Sequence, residues 1–268
     1  MTVTQTKRRP TRGRKLIIAG LVVVGLLVAA DFGLAAAGEY QIAQRMRDKL
    51  NLSEDPSVRI NGFPFTFQAI AGDYRDIEIT ATGVPVRDDL RDLEVRANLY
   101  HTRIGLSDLL AGDTSNATID QVTGSVKIKA ADLNRLVNNV TPFTDMAIEP
   151  DTRPEATPTP APEKPDPTRA AVKLSGNTTV AGRKLRITAY GSVSLVNEQV
   201  AVAVQDVELD DTSLAGLAEV LGAVRSALSV TIDPGRLPFT VTPTAVKVES
   251  GAFTVEGTIN NIPLDGVR

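Results

Sequence analysis

The N-terminal stretch constrains the fold most, because an apolar run behind a basic leader directs a chain to a membrane. Residues 1–30 contain six basic side chains and no acidic one. Leu16 to Ala30 has no polar side chain, Asp31 interrupts the run, and Phe32 to Gly38 continues it. Fifteen residues fall short of the about 20 that a spanning helix needs. Residues 16–38 are long enough, with Asp31 near the outer interface where an acidic group costs least.

Two interpretations of residues 16–38 stay open, a transmembrane anchor and a cleaved signal peptide. Small residues suited to cleavage occur at Val28-Ala29-Ala30 and at Ala35-Ala36-Ala37. Both interpretations export the rest of the chain, because the basic flank stays in the cytoplasm. We therefore expect a cell-membrane protein that crosses once, with its C-terminal body outside the cytoplasm in a periplasm-like space or the cell envelope.

Composition restricts the chemistry available to this body. The chain has no Cys, no Trp and a single His, so disulfides and thiolate chemistry are excluded and metal ligands are few. Without the basic leader and Asp31, 23 basic and 31 acidic residues remain, a net charge of −8. Nucleic acid is an unsuitable partner for such a surface, because phosphate neutralisation needs a basic face.

Hydrophobic periodicity predicts an α+β fold. Glu39 to Leu50 has helical spacing and continues from the anchor, and Asn51 to Pro56 ends that helix. Short helices are expected at Ser107–Leu110 and Asp132–Val140. Alternating apolar residues are typical of antiparallel strands with one buried face. They occur at 77–82, 93–100, 122–128, 185–189, 200–209, 244–249 and 253–259. A bulge is expected at Gln205-Asp206, where the alternation changes phase.

A proline-rich segment divides the exported body. Seven of the eighteen residues from Pro150 to Pro167 are proline, which predicts an extended, disordered linker at 150–168. The expected organisation is then a basic leader (1–15), the apolar segment (16–38) and two halves of the exported body (39–149 and 169–268). Because both halves are rich in strands, we favour one shared sheet over two separate domains.

Two apolar surfaces are candidates for a ligand groove. In an extended backbone, Phe63, Phe65 and Phe67 would share one face, and Pro64 would suit a strand edge. Leu214 to Leu228 predicts a helix that is apolar nearly all round. Its seam supplies the remaining candidate lining residues: Leu214, Leu217, Leu221, Val224 and Leu228.

No constellation for catalysis is present in the sequence. His101 has no nucleophile or metal-ligand motif around it, and the pairs Asp88-Asp89 and Asp210-Asp211 are typical of turns and helix starts. We therefore expect no enzyme activity, no catalytic residue, no metal and no cofactor.

Several short motifs resemble one known family: Asn61-Gly62-Phe63-Pro64-Phe65, Gly72-Asp73-Tyr74, Ile77-Glu78-Ile79, Leu237-Pro238-Phe239-Thr240-Val241 and Val246-Lys247-Val248. Together with the basic leader and apolar segment, they are similar to the LmeA-like phospholipid-binding family of bacterial envelope proteins, over residues 35–265 without the proline-rich insert. The resemblance implies an exported protein that binds acidic phospholipids and assists envelope lipoglycan metabolism. By looser analogy with tubular lipid-binding domains, it implies a curved antiparallel sheet wrapped around helices.

The sequence thus favours a membrane-tethered phospholipid-binding protein with an apolar groove for acyl chains; protein partners cannot be read from it. A non-catalytic structural or interaction module with a filled core is the first alternative. An envelope hydrolase whose carboxylates meet only on folding is the second.

Overall fold

The structure is a computed structural model of the chain. It describes residues 12–84, 92–113, 115–138, 143–153, 166–180, 183–197, 199–209, 217–229, 231–232 and 242–263.

A single helix joins the apolar segment to the body. Helix α1 runs without a break from Arg12 to Leu50, 39 residues and about 58 Å at 1.5 Å per residue. It confirms that the amphipathic stretch from Glu39 continues the apolar segment. The helix ends where predicted: Asn51 has a left-handed φ of 50°, and the Leu52 amide donates to the Arg47 carbonyl at 3.0 Å.

Two antiparallel sheets form the body, so the predicted α+β class is confirmed. Neither sheet is closed. The first has six strands in the order β1-β2-β3-β4-β11-β10: Ser57–Asn61, Asp73–Val84, Leu93–Arg103, Thr118–Lys129, Ala252–Pro263 and Thr242–Glu249. The second has five strands in the order β5-β6-β7-β8-β9: Phe143–Pro150, Arg169–Val180, Arg183–Val196, Gln199–Leu209 and Thr231–Ile232.

The two halves of the chain exchange strands. β5 precedes the proline-rich segment but pairs with β6 of the second half, whereas β11 of the second half pairs with β4 of the first. The single shared sheet that we favoured is therefore replaced by two sheets, each built from both halves. A hydrophobic core between them joins Leu93 and Ile128 of the first sheet to Ile148 and Ile187 of the second.

Strands β5 and β6 form an antiparallel pair, and the proline-rich segment connects them. The Asp151 amide donates to the Ala171 carbonyl at 3.3 Å, which extends the pairing past Pro150. Arg153 stacks on the Tyr190 ring at 3.3 Å, and its guanidinium pairs with Asp151 at 3.1 Å. Of the predicted linker at 150–168, residues 154–165 lie outside the described residues.

In the described part of the chain, four further helices are α2 (Phe65–Ala71), α3 (Leu106–Ala111), α4 (Ala130–Asn138) and α5 (Leu217–Leu228). The last three confirm the predicted helices, apart from their ends. The bulge in β8 is also confirmed, since the register with β7 shifts between Tyr190 and Gly191 and leaves Gln205 without a partner position. Gly191 faces this bulge so closely that a Cβ there would lie 2.1 Å from the Ala203 carbonyl oxygen.

The extended stretch predicted at 63–67 is wrong. Phe63 lies in a bend, Pro64 is the N-cap, and α2 begins at Phe65. The reason is a contact that local periodicity does not reveal. The Asp31 carboxylate, on α1, accepts hydrogen bonds from the amides of Phe65 and Thr66, both at 2.8 Å, and from the Thr66 hydroxyl. It thereby satisfies the free amides at the start of the short helix.

Candidate functional site

A transverse row of small residues lies across the first sheet. The register places Ala97 of β3 opposite Gly124 of β4, and Gly124 opposite Gly257 of β11. Directly paired residues share a face, so these three positions leave a strip of that face without bulky side chains. The row continues to Ile79 of β2 at one end and Pro243 of β10 at the other.

Branched side chains flank this strip on both sides. At a distance of two residues along the strands in one direction, Leu99 is paired with Val122. In the other direction, Val95, Val126 and Val255 form a paired row. The small row between two rows of larger side chains therefore makes a trough that runs across the strands.

The end of α1 forms the roof of this trough. Met46, Leu50 and Leu52 line it from above, and Ala81 and Val84 line it from β2. The void between these walls, including its solvent-open part, has a volume of about 1040 Å³. Leu50, one of the residues in its roof, is exposed, so the void opens to solvent rather than being a sealed cavity.

The trough offers apolar contacts and few polar ones. Arg96, Ser125 and Glu256 also border it, but each lies between two residues that face the trough, so its side chain points to the opposite face. Arg96 pairs there with Glu94 at 2.8 Å, and Glu256 pairs with Lys247. A hydrocarbon chain matches such walls, because it needs no hydrogen-bond partner.

The opposite face of the sheet is charged and wet. Lys127 pairs with Glu249 at 2.9 Å; this hydrogen bond raises the pKa of the Lys127 ammonium and lowers the pKa of the Glu249 carboxyl. Arg103 likewise pairs with Asp120 and holds the pKa of that carboxyl below its ordinary value. The sheet is thus apolar inside and polar outside, as its alternating sequence predicts.

The three phenylalanines predicted to line a groove lie away from the trough. Phe65 is buried in a second core beneath α1, where its ring lies 6.3 Å from that of Tyr74. Burial raises the pKa of the Tyr74 hydroxyl in the same core. Phe63 and Phe67 are exposed. The three rings therefore do not form one stripe.

None of the described residues of the predicted helix seam lines the trough. Val224 and Leu228 are buried in the core between the sheets, and Leu221 packs against it. The Ser229 hydroxyl after α5 accepts a hydrogen bond from the Val204 amide of β8 at 3.2 Å. Leu214 lies outside the described residues, as does the side chain of Leu217. The seam and the phenylalanines are not brought together, and a lipid contact at either stays a prediction.

Sequence reasoning missed the residues that do form the trough, above all Ala97, Gly124, Gly257, Met46 and Leu50. One signal for them was present. Gly124 and Gly257 each occupy an apolar-face position in the middle of an alternating strand, where glycine indicates space or close approach.

An open α+β body with an apolar trough on one sheet, joined to a long apolar helix, fits a membrane-anchored lipid-binding protein. The chain belongs to the LmeA-like phospholipid-binding family, whose sequence pattern matches residues 29–258, most of its length. The matched range includes Asp31, α2 and every residue that lines the trough. A search of curated proteins finds no match to the chain.

Proposed function

We propose that the protein is tethered to the cell membrane and holds a phospholipid with an acyl chain in the trough. The observation that carries the proposal is the row Ala97, Gly124 and Gly257 beneath Met46 and Leu50. The row spans five strands from Ile79 to Pro243, about 19 Å at 4.8 Å per strand. One acyl chain has a similar length, since two of them fill a hydrocarbon core of about 30 Å. Burying each methylene contributes about 0.8 kcal/mol before the costs of association.

The proposal includes a preference for acidic headgroups. Three basic residues, Arg45, Arg47 and Lys49, lie in the last turns of α1, beside Met46 and Leu50 of the trough roof. Arg47 is already paired with Asp55 at 3.1 Å, and Arg45 donates to the Ala111 carbonyl, whereas Lys49 is exposed. Family membership and this basic turn support the binding of a phospholipid. The proposed role is non-catalytic and lies in envelope lipid or lipoglycan metabolism.

The amount of phospholipid that co-purifies with the body tests this function directly. We expect residues 31–268, which retain the Asp31 contact, to carry about one phospholipid per chain after purification without detergent. Solvent extraction followed by mass spectrometry measures the amount and identifies the headgroup. A lipid-free protein would favour the interaction module with a filled core. Turnover of an added ester or glycoside would favour the hydrolase.

We further propose that α1 is an uncleaved anchor and that the body lies outside the cytoplasm. Helix α1 is, within the described residues, the one helix long and apolar enough to cross a membrane. Cleavage after Ala37 would remove Asp31, the acceptor for α2, and Ala35, which packs against the core beneath α1. These contacts support retention of the segment.

The proposed topology predicts the behaviour of a C-terminal fusion. Alkaline phosphatase fused after Arg268 should be active, because that enzyme matures only after export, and the fusion should keep the mass of the uncleaved chain. A fusion that is inactive while a cytoplasmic reporter at the same position is active would contradict the topology. A shortened but active fusion would contradict the anchor alone.

A further inference from the structure

Large apolar side chains are exposed around α2. Beyond α1, the three most exposed in the described part of the chain are Ile70 at 79 %, Phe67 at 70 % and Phe63 at 54 %. Phe63 stacks on Phe32 of α1, with ring centroids 5.7 Å apart. We name Phe32, Phe63, Phe67 and Ile70 the α2 patch. It is continuous with the exposed apolar surface of α1, and it lies where α1 enters the body.

The position of Asp31 sets the depth of this patch. Lys15 is the last basic residue before the apolar run, and Asp31 follows sixteen residues later, about 24 Å along the helix. The hydrocarbon core of a bilayer is about 30 Å thick. With Lys15 at the cytoplasmic interface, Asp31 therefore reaches no farther than the outer edge of the core, and α2 is attached to Asp31 by three hydrogen bonds.

We propose that α2 is a second membrane contact, with the α2 patch inserted into the outer leaflet of the bilayer that α1 spans. This inference rests on the proposed anchoring of α1. Since the part of α1 from Lys15 to Asp31 is too short to hold α2 clear of the lipid, the exposed rings meet acyl chains rather than water. Short apolar segments that lie in the interface use Phe and Leu-like side chains in this way.

The same contact explains the acidic residue within the apolar segment. The Asp31 carboxylate is 6 % exposed, and its oxygens accept from the amides of α2 and the Thr66 hydroxyl. A charge at this depth is tolerated because those donors replace water. Asp31 thus attaches α2 to the anchor, and two contacts with the membrane, α1 and the patch, would fix the tilt of the body.

Site-directed fluorescence in vesicles tests the insertion. The chain contains no Cys, so Phe67→Cys and Ile70→Cys in the complete protein each give one site for an NBD label. Leu26→Cys in the apolar run is the membrane control. Ser250→Cys, in the exposed turn that follows β10, is the aqueous control. The proteins are reconstituted into phosphatidylcholine vesicles with or without nitroxide-labelled phosphatidylcholine.

We expect the nitroxide to quench the labels at 67 and 70 at least half as strongly as the label at 26, and to leave the label at 250 unchanged. Quenching at 26 with none at 67 and 70 would overturn the insertion and leave the anchor standing. Absence of quenching at 26 would overturn both. A blue shift at 67 and 70 without quenching would also overturn the insertion, because protein, such as a second copy, would then cover the patch.

Discussion

Replacing Gly124 with leucine is expected to lower the phospholipid recovered per chain at least tenfold. Gly124 lies in the middle of the small row, and a leucine there would project between Ala97 and Gly257 into the trough. Because the space is open, the variant should fold. Its free energy of unfolding should stay within about 1 kcal/mol of the natural protein, since glycine inside a strand is itself unfavourable by roughly 0.5–1 kcal/mol.

The matched control for this substitution is Thr123→Leu. It places the same side chain one residue earlier, on the polar face of β4, where Thr123 pairs with Asn98 and Thr258. Lipid content should be unchanged. Thermal melts and lipid extraction of both variants separate the possible outcomes. If Gly124→Leu loses about 1–3 kcal/mol of stability, the cost of overpacking, the space beneath α1 is a filled core. Unchanged lipid content in a stable variant would place the lipid elsewhere.

Replacing Asp31 with alanine is expected to release α2 from α1. A hydrogen bond to a charged group contributes about 1.5–3 kcal/mol, and the carboxylate accepts three, so a combined loss of about 3 kcal/mol is a conservative expectation. Hydrogen exchange at the amides of Phe65 and Thr66 should then accelerate about 100-fold, because each 1.4 kcal/mol is a factor of ten. Amides of β7 should keep their protection, since the change is local.

Two further variants test whether the charge and the position of the Asp31 carboxylate hold α2 on α1. Asp31→Asn keeps one carbonyl acceptor without the charge, so we expect an intermediate acceleration. Asp48→Ala removes an exposed carboxylate from the same helix and should leave α2 unaffected; its side chain is 73 % exposed. Unchanged exchange at Phe65 and Thr66 in Asp31→Ala would show that Asp31 does not cap α2. The two-contact arrangement at the membrane would then lose its basis.

Local periodicity was sufficient for most of the secondary structure. The alternation in 200–209 even indicated the bulge at Gln205, because a bulge shifts the phase of the apolar residues by one. The helix through Glu39 and the break after Leu50 also followed from local spacing and turn residues.

Long-range contacts account for what could not be predicted. The stretch around Phe65 has the alternation of a strand, but a carboxylate 34 residues earlier caps it as a helix. The exchange of β5 and β11 between sheets depends on pairings that no local pattern encodes.

The trough could not be predicted from the sequence for a related reason. Gly124 and Gly257 were visible as glycines in separate strands, but only the register aligns them with Ala97 in one row. The apolar seam of α5 looked like a ligand surface because it exceeds what one face of a helix needs. Two of its residues, Val224 and Leu228, are buried in the core between the two sheets, and a lipid contact along the seam stays a prediction.

The position of a bound acyl chain is the most direct test of the trough. Met46 and Leu50 lie fifteen and nineteen residues beyond Asp31, about 22 and 28 Å along α1, so lipids surrounding the anchor cannot reach them. The complete protein in vesicles is irradiated with a phospholipid that carries a diazirine at the end of one acyl chain, and labelled peptides are mapped by mass spectrometry. We predict labels on residues 95–99, 122–126 and 255–257, and their loss in Gly124→Leu. Labels confined to α1 and the α2 patch, or concentrated on α5, would contradict a lipid site in the trough.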